Sequence, residues 1–371
     1  MENQLDLERD ELGLRRGLTY SEAGVDRDLR AESKKTLRTL EKTYSHSRYG
    51  EVIELPYGRI FPHHDHYLDL TVEGVGTKVL IAQLVGKYDT IGIDGVAMAV
   101  NDVIRSGARP IALVDNIHMQ VSDPVMIKEL INGITRGAEE SECIVPGGEI
   151  GDAPDLIKGL ASAKGFDIVV ASVGEVAKEK VILGRDIQPG DPIIGLKSSG
   201  VHSNGISLVR KALFRQWGGI YDANAIADGL DREIGLEALE PTRIYVKPFC
   251  RLAEKMNVKG AVHITGDAYL KFERLSMFSP GIGFEFDNFK PQPIFGLIQQ
   301  AADKLHKPIT DDEMFKTFNM GWGFAVITSK IDCERALEVL EKAGAEPEQI
   351  GCVTSSRGVK IRHKNKKIIL N

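Results

Sequence analysis

Residues Asp69–Met119 read DLTVEGVGTKVLIAQLVGKYDTIGIDGVAMAVNDVIRSGARPIALVDNIHM, and the succession of element types within them decides the fold class. Residues 67–72 alternate as a strand does. The strand runs into Glu73-Gly74-Val75-Gly76-Thr77-Lys78, and Lys78–Gly86 has helical character. In the next helix Val96, Val100, Val103 and Ile104 form one apolar stripe. Asp94, Asn101 and Arg105 share another face, with Asp102 beside them. Ile111–Met119 is a further strand. Strand, helix, helix and strand in succession indicate an α/β or α+β domain.

Glu73–Lys78 gathers an acid, two glycines, a threonine and a lysine where a strand gives way to a helix. Glycines let backbone approach a ligand closely, and a helix N-terminus favours anions. Lysine suits phosphate, while carboxylates with an asparagine suit Mg²⁺. One reading is a metal–nucleotide site. The other is a glycine turn, a solvated lysine and an N-capping aspartate.

Working outward, 371 residues are enough for about two domains. A hydrophobic fraction of 42% supports ordinary cores, and a net charge of −6 gives a nucleic-acid role no compositional support. No apolar run reaches the ~18 residues a membrane span needs, and the polar, acidic opening is unlike a signal peptide. Cys143, Cys250, Cys333 and Cys352 are scattered singly, so free thiols in a reducing cytoplasm are expected rather than disulfides or zinc.

Before the central stretch lies a charged arm with Tyr20, Ala23 and Val25 beside a glycine, which can dock, and a basic helix-like run through Lys35. After it, a helix over Val125–Ser141 leads to a short strand, Cys143–Val145, and a glycine turn from Pro146 to Pro154. Asp167–Val176 is a β-branched strand. The charged, turn-rich segment Ala177–Asp191 marks the domain boundary, which gives domains 1–180 and 190–371. The second half opens with strand Pro192–Lys197 and a helix from Ile206 to Trp217. An acidic connector over 219–240 precedes a helix over Pro241–Met256 and a strand over Gly260–Ile264. A strand at Gly281–Phe286, a helix at Pro293–Leu305 and a β-α-β-β tail from Trp322 to Ile361 complete the pattern.

Three further stretches could carry chemistry. Gly147-Gly148-Glu149 places a carboxylate on the expected turn, with Asp152 nearby as metal ligand or helix cap. Ser198-Ser199-Gly200-Val201-His202-Ser203-Asn204-Gly205 sits at a strand-to-helix junction, where helix amides, hydroxyls and an imidazole suit a phosphate or oxyanion. His202 could work as acid or base near neutral pH, or be structural. His63, His64, Asp65 and His66 suit no zinc geometry and read as a solvated loop before a strand. Asp311-Asp312-Glu313 reads as a helix start. Neither a Walker lysine motif nor GxGxxG is present.

Taken in order, these stretches resemble one family, aminoimidazole ribonucleotide synthetase, also called phosphoribosylformylglycinamidine cyclo-ligase. Glu73–Lys78 resembles its DGVGTK, and Ala97–Asp102 with Ser106–Ala108 its MxVND…GA. Gly147–Glu149 resembles GGE(T), and Ser198–Gly205 matches SSGVHSNG. His263–Gly266 resembles HITGGG, Met314–Gly323 resembles MFRTFNMGVG, and Tyr20–Asp26 resembles YxxAGVD.

The resemblance implies a two-domain, PurM-like α/β fold whose N-terminal strands form a homodimer and whose C-terminal domain is also α/β. It implies ATP-dependent closure of formylglycinamidine ribonucleotide to 5-aminoimidazole ribonucleotide, through a phosphorylated amide, in the cytoplasm and with Mg²⁺. By the same resemblance His202, Lys78 and Asp94 would be catalytic. Gly74, Gly76, Thr77, Lys78, Asn101, Ser199, Asn204, Thr265 and Gly266 would bind ATP and substrate. Glu73, Asp94, Asp102 and Glu149 would hold metal. Three positions depart from the family pattern: Glu73 where it has Asp, Asp267-Ala268 where it continues with glycines, and Asp152 where Glu is common. The alternatives are related ATP-using enzymes of the thiamine-monophosphate kinase or formylglycinamidine synthetase type, and a non-catalytic nucleotide-binding paralogue.

Overall fold

Helix α1 (Arg27–Lys35) begins where the Asp26 carboxylate accepts the amides of Asp28 and Leu29, two donors a helix start otherwise leaves open. The computed structural model to which it belongs describes residues 17–370; the opening of the expected N-terminal domain, residues 1–16, and Asn371 lie outside the described residues. The first half continues with β1 (Ile53–Leu55), β2 (Gly58–His63), β3 (His66–Gly74), α2 (Lys78–Val85), α3 (Asp89–Val103), β4 (Arg109–Met119), α4 (Pro124–Ser141), β5 (Ile144–Asp152) and β6 (Phe166–Ala177). The second half comprises β7 (Pro192–Lys197), α5 (Ile206–Leu213), α6 (Ile234–Ala238), α7 (Val246–Lys255), β8 (Gly260–His263), β9 (Gly283–Phe286), α8 (Pro293–Lys304), α9 (Asp311–Thr317), β10 (Trp322–Ile327), α10 (Cys333–Lys342), β11 (Pro347–Thr354), β12 (Gly358–His363) and β13 (Lys366–Leu370).

Each half is built on one sheet. The first runs β1-β2-β3-β6-β4-β5, antiparallel except for the β4–β5 edge. The second runs β13-β12-β9-β11-β7-β10-β8, antiparallel except for β12–β9. A single apolar cluster is continuous through both halves. The mixed α/β architecture expected from the sequence is thus observed.

Helix α3 is buried from Thr90 to Val103, because it lies between the first sheet and α4. A helix enclosed all round loses the polar face of a surface helix, which is why its four polar or charged residues become informative. Contact with α4 is close enough that a Cβ on Gly92 would stand 2.2 Å from the Leu130 carbonyl oxygen. Among the described residues no α-helix packs on the opposite face of the sheet, where Leu37 and Leu40 of the 3₁₀ segment Thr36–His46 line a cavity with Leu70 and Val72. There, register places Leu70, Val173, Ala112 and Ile144 in one row and Val72, Ala171 and Val114 in the next. Leu70 and Val72 are 60% and 64% exposed, which makes this an uncovered apolar surface.

Several elements differ from the sequence expectation. The glycine turn expected after Cys143 is strand: β5 continues to Asp152 because Val114–Met119 pair with Gly147–Asp152 along a long parallel edge. The helix expected from Pro241 starts only at Val246, because the backbone of 240–245 is drawn into bonds with α2 and α3. His63–His66 form the tight turn between β2 and β3, with His64 in the left-handed region. Strands β1, β2 and β13 were not anticipated. Among the described residues, no helix is long and apolar enough to cross a membrane, and the four cysteines are free.

Candidate functional site

Between the two sheets, the polar residues of α2 and α3 meet segment 240–245 of the second half. Lys78 and Asp94 are fully buried, with Lys78 Nζ 2.8 Å from Asp94 Oδ2 and donating to the Glu240 carbonyl at 2.7 Å. Asp94 Oδ1 accepts from the Thr242 amide at 2.7 Å, the Thr242 hydroxyl at 2.6 Å and the Ser203 hydroxyl at 3.0 Å. Burial pushes the Lys78 ammonium below its usual range, with Asp94 pulling the other way. Asn101, also fully buried, donates to the Arg243 carbonyl and accepts the Tyr245 amide, both at 2.9 Å. Three residues expected to meet metal or phosphate are therefore occupied as staples between the halves. Asp94 is fully enclosed, with its Oδ2 accepting no hydrogen bond among the described residues, and Asn101 spends both ends of its amide on the backbone of 243–245.

His202 is likewise enclosed, at 0% exposure, with its backbone in the left-handed region (φ 59°). Its Nε2 accepts the Ser199 amide at 3.2 Å, so the ring proton belongs on Nδ1. Burial first, and the charges of His263, Lys78 and Arg243 next, hold its pKa well below the usual histidine range. The ring is a neutral brace for its loop rather than a proton donor at the surface. Ser199 turns its hydroxyl to the Pro241 carbonyl. In this structure Lys78, Asp94, Asn101, Ser199 and His202 are all engaged in contacts that join α2, α3 and the 199–205 loop to the backbone of 240–245 or to one another.

A second cluster borders a cavity. Glu73, at the end of β3, lies against Asp102 of α3. Burial first, and the Asp102 charge next, push the Glu73 carboxyl up to about 7. Burial works against an ionised Asp102, but Arg105 and His263 hold it well below the usual carboxylate range. Arg105 Nη2 is 2.8 Å from Asp102 Oδ2, and His263 Nδ1 is 2.7 Å from Oδ1. Since burial drops His263 to about 4, its neutral Nδ1–H is the donor. Lys271 completes the cluster: buried, lowered to about 8 chiefly by burial, it donates to the His263 carbonyl at 3.2 Å and to the Thr265 hydroxyl. Asp69, raised to about 6 by burial, lines with Glu73, Asp102 and Arg105 a cavity of about 560 Å³.

Around this cluster the loops are open. Gly74 and Gly76 are exposed and Thr77 half-buried, at the start of α2. The Thr77 and Ser207 hydroxyls are 3.2 Å apart, which ties this loop to the first turn of α5. Gly205 caps α5 without a side chain. Asn204 sets its Oδ1 against Gly266, where a Cβ would be 3.4 Å away, and its buried Nδ2 has no partner among the described residues. Thr77 thus meets Ser207 and Asn204 meets Gly266, while Glu73 and Asp102 share the wall of the cavity.

Glu149 does not join them. Register sets Glu73, Val170, Asp115 and Gly148 in one row, and Gly74, Val169, Asn116 and Glu149 in the next. Adjacent residues of a strand face opposite sides, so Glu149 lies about 14 Å from the β3 position and on the sheet's uncovered face. Gly148 permits this because a Cβ there would stand 2.6 Å from the Asp115 carboxylate.

Residues 240–245, Arg105, His263 and Lys271 were not anticipated as site residues. Asp102 and His263 are far apart in sequence, and no local pattern joins them. Signals were there to be used: Arg105 shares the helix face of Asp94 and Asn101, His263 opens the stretch His263–Gly266, and Lys271 is a charge inside the apolar run Ala268–Phe272.

Comparison with known proteins agrees with this architecture. Family models described as AIR synthase related protein match residues 55–176 for the N-terminal domain and 188–364 for the C-terminal domain. A phosphoribosylformylglycinamidine cyclo-ligase of Pyrococcus furiosus is 38% identical over 92% of this chain and 99% of its own length. One from Bacillus pumilus is 37% identical over 92% of this chain and 96% of its own. Among solved structures, the HypE–HypF complex aligns at TM-score 0.59 with 17% identity, covering 90% of this chain and 98% of the other. Thermotoga maritima PurL complexed with ATP aligns at 0.54 with 16% identity, over 83% of this chain and 44% of the other. These last two likenesses concern the fold. The near full-length identity to the curated enzymes goes further: the chain belongs to the phosphoribosylformylglycinamidine cyclo-ligase family.

Proposed function

We propose that the protein closes the imidazole ring of 5-aminoimidazole ribonucleotide from formylglycinamidine ribonucleotide, converting ATP to ADP and phosphate. The observation that carries this reading is the Glu73–Asp102 carboxyl pair, set beside an open glycine loop and Lys271, in a chain so similar to cyclo-ligases over its whole length. An amide oxygen is a poor leaving group. Its attack on the γ-phosphorus, with cleavage of the bond to ADP, makes it a good one. The amidine nitrogen then adds to the activated carbon, phosphate departs with the carbon–oxygen bond, and loss of a proton leaves the aromatic ring.

The residues divide by access. The amides of Gly74 and Gly76 and the Thr77 hydroxyl would receive the phosphate chain at the start of α2. Asn204 Nδ2, a buried donor in want of an acceptor, would reach the substrate from α5's side, with Thr265 and Gly266 opposite. Lys271 would add positive charge beside the transferred phosphoryl group. Lys78, Asp94, Asn101, Ser199 and His202 would act through position, by holding the loops of one half against the other.

Glu73 and Asp102 fit a Mg²⁺ ion. Two adjacent carboxyls that hold a proton near neutrality can exchange it for a cation. No group of three or more potential protein ligands exists among the described residues, and Mg²⁺ with nucleotides normally takes one or two carboxylates, with phosphate oxygens and water as the rest. When bound, the ion offsets phosphate charge as the γ-phosphoryl group moves.

Further parts of the same reading are a homodimer joined through the uncovered face of the first sheet, domains spanning residues 1–180 and 190–371, and a reducing, cytoplasmic setting for the free thiols. In the dimer the apolar rows through Leu70 and Val72 would be covered, and Glu149 would face the partner. The test of the function is product formation: aminoimidazole ribonucleotide should appear in step with ADP.

A further inference from the structure

Asp267 holds a backbone conformation that favours glycine, with φ at 67°, and Ala268 follows it at 38°. A side chain there carries a steric penalty of roughly 1 kcal/mol. The carboxylate so placed faces three guanidinium groups. Oδ1 is 2.8 Å from Arg30 Nη2 and 3.6 Å from Arg27 Nε, and Oδ2 is 3.9 Å from Arg274 Nη2. Arg27 and Arg30 belong to α1, on the N-terminal arm. The same arm is pinned at Glu313 by the Tyr20 amide and Arg27, and at Thr317 by Arg27 Nη2 at 2.8 Å. It therefore lies over the stretches Thr265–Ala268 and Met314–Thr317, and Asp267 is the anion that fastens its middle.

One carboxylate is too little for what surrounds it. A cavity of about 510 Å³ between α1 and residues 267–277 is lined by Arg27, Arg30, Lys34, Lys271 and Arg274. Its other acids, Asp28 and Glu273, are exposed. Arg27 Nε is a buried donor with no hydrogen-bond partner among the described residues. The guanidiniums of Arg30 and Arg274, with the orphaned Nε of an Arg27 whose Nη groups are held by Glu313, Lys316 and Thr317, match the oxygens of a phosphate dianion better than one carboxylate. The volume exceeds that of a bare phosphate and lies in the ordinary range of small-molecule pockets. Lys271 also connects the cavity to Glu73 and Asp102, since its charge acts on both.

We propose that this cavity binds a phosphate monoester, and that Asp267 is a resident anion which holds the arm and its arginines in place until the ligand's phosphate displaces it. Identifying that monoester with the 5′-phosphate of the ribonucleotide substrate rests on the proposed function; the site itself does not. The carboxylate competes with phosphate for the same donors, so its loss strengthens phosphate binding, whereas loss of Arg30 or Arg274 weakens it.

Ribose 5-phosphate and inorganic phosphate, titrated calorimetrically into the full chain, are the probes. Asp267→Asn should bind ribose 5-phosphate roughly tenfold tighter than the parent, and Arg274→Gln roughly tenfold weaker, the scale set by one charge-assisted contact. Asp267→Gly, which removes the backbone strain as well, should behave as Asp267→Asn and guards against a folding artefact. Hydrogen exchange over residues 20–35 should quicken in Asp267→Asn and slow again with ribose 5-phosphate. Unchanged or weaker binding in both Asp267 variants, or unchanged binding in Arg274→Gln, overturns the site. If turnover of formylglycinamidine ribonucleotide is present while these affinities stay flat, the site fails and the function stands. If the affinities shift as stated without turnover, the site stands and the function fails.

Discussion

Replacing Lys78 by methionine keeps the aliphatic stem and deletes the ammonium. Among the described residues Lys78 Nζ is the sole cation at Asp94: it donates to Oδ1 at 3.0 Å and is the counter-charge 2.8 Å from Oδ2, which accepts no hydrogen bond. Oδ1 would keep its three donors from Ser203 and Thr242, whereas Oδ2 would lose its counter-charge and the Glu240 carbonyl its donor inside a fully buried site. Breaking a buried pair by removing one partner costs about 3–5 kcal/mol. That is a large part of the about 5–15 kcal/mol that holds a typical protein folded. Urea unfolding followed by tryptophan fluorescence should therefore show Lys78→Met destabilised on that scale. The double variant Lys78→Met/Asp94→Asn should be less destabilised than the sum of the single changes, because the second substitution removes the stranded charge. A loss below about 1 kcal/mol, together with abolished ATP binding, would refute the reasoning. Lys78 would then be a phosphate ligand whose burial in the free chain is incidental.

Other consequences concern the cluster at the cavity and the surface. Because Glu73 titrates near 7, a proton competes with metal there, and nucleotide-dependent Mg²⁺ affinity should fall about tenfold from pH 8 to pH 6; Glu73→Gln should bind metal weakly at both. The same shift affects stability: the folded chain holds a proton that the unfolded chain has released between the ordinary value of 4.5 and about 7, so stability declines as pH rises through that window. Glu73→Gln should remove that decline in thermal melts, and a decline of equal size in the variant would assign it elsewhere. His202→Ala strands the Ser199 amide and should cost about 1–3 kcal/mol without altering the pH–rate profile; a displaced limb of that profile would make His202 a proton-transfer group. Val72→Asp, in the middle of the uncovered sheet face, should convert a dimer to monomers in sedimentation, and an unaffected dimer would move the interface to another surface.

Much of the architecture was legible because period and punctuation agreed. The alternation of 67–72, the stripe Val96–Ile104 and the β-branched run before Ala177 each match one element. What escaped was decided by tertiary pairing. Gly147–Asp152 looks like a turn from its glycines, yet β4 offers a long parallel edge and Gly148 is required beside Asp115. Residues 241–245 carry helical composition, but their backbone groups serve Asp94 and Asn101 instead, next to the Glu240 carbonyl that serves Lys78.

The site was legible in its residue types and only partly in their roles. Glu73 and Asp102 do share a cavity wall, and Asn204 does stand against Gly266. Lys78, Asp94, Asn101 and His202 have equally suitable chemistry, but all are fully buried: Asp94 and Asn101 on the enclosed α3, Lys78 at the start of α2 and His202 in the turn before α5. Spacing along a helix tells which residues share a face and not whether that face meets solvent. Glu149 was placed with the other acids by its motif, and the pleat of the sheet sends it to the opposite side.

The most direct measurement is a coupled assay on the purified chain with ATP, Mg²⁺ and formylglycinamidine ribonucleotide, scoring the aromatic aminoimidazole product and ADP together. The account predicts equimolar product and ADP, both lost in Glu73→Gln. ADP release without aminoimidazole ribonucleotide, or no ADP beyond the uncatalysed level, would contradict it.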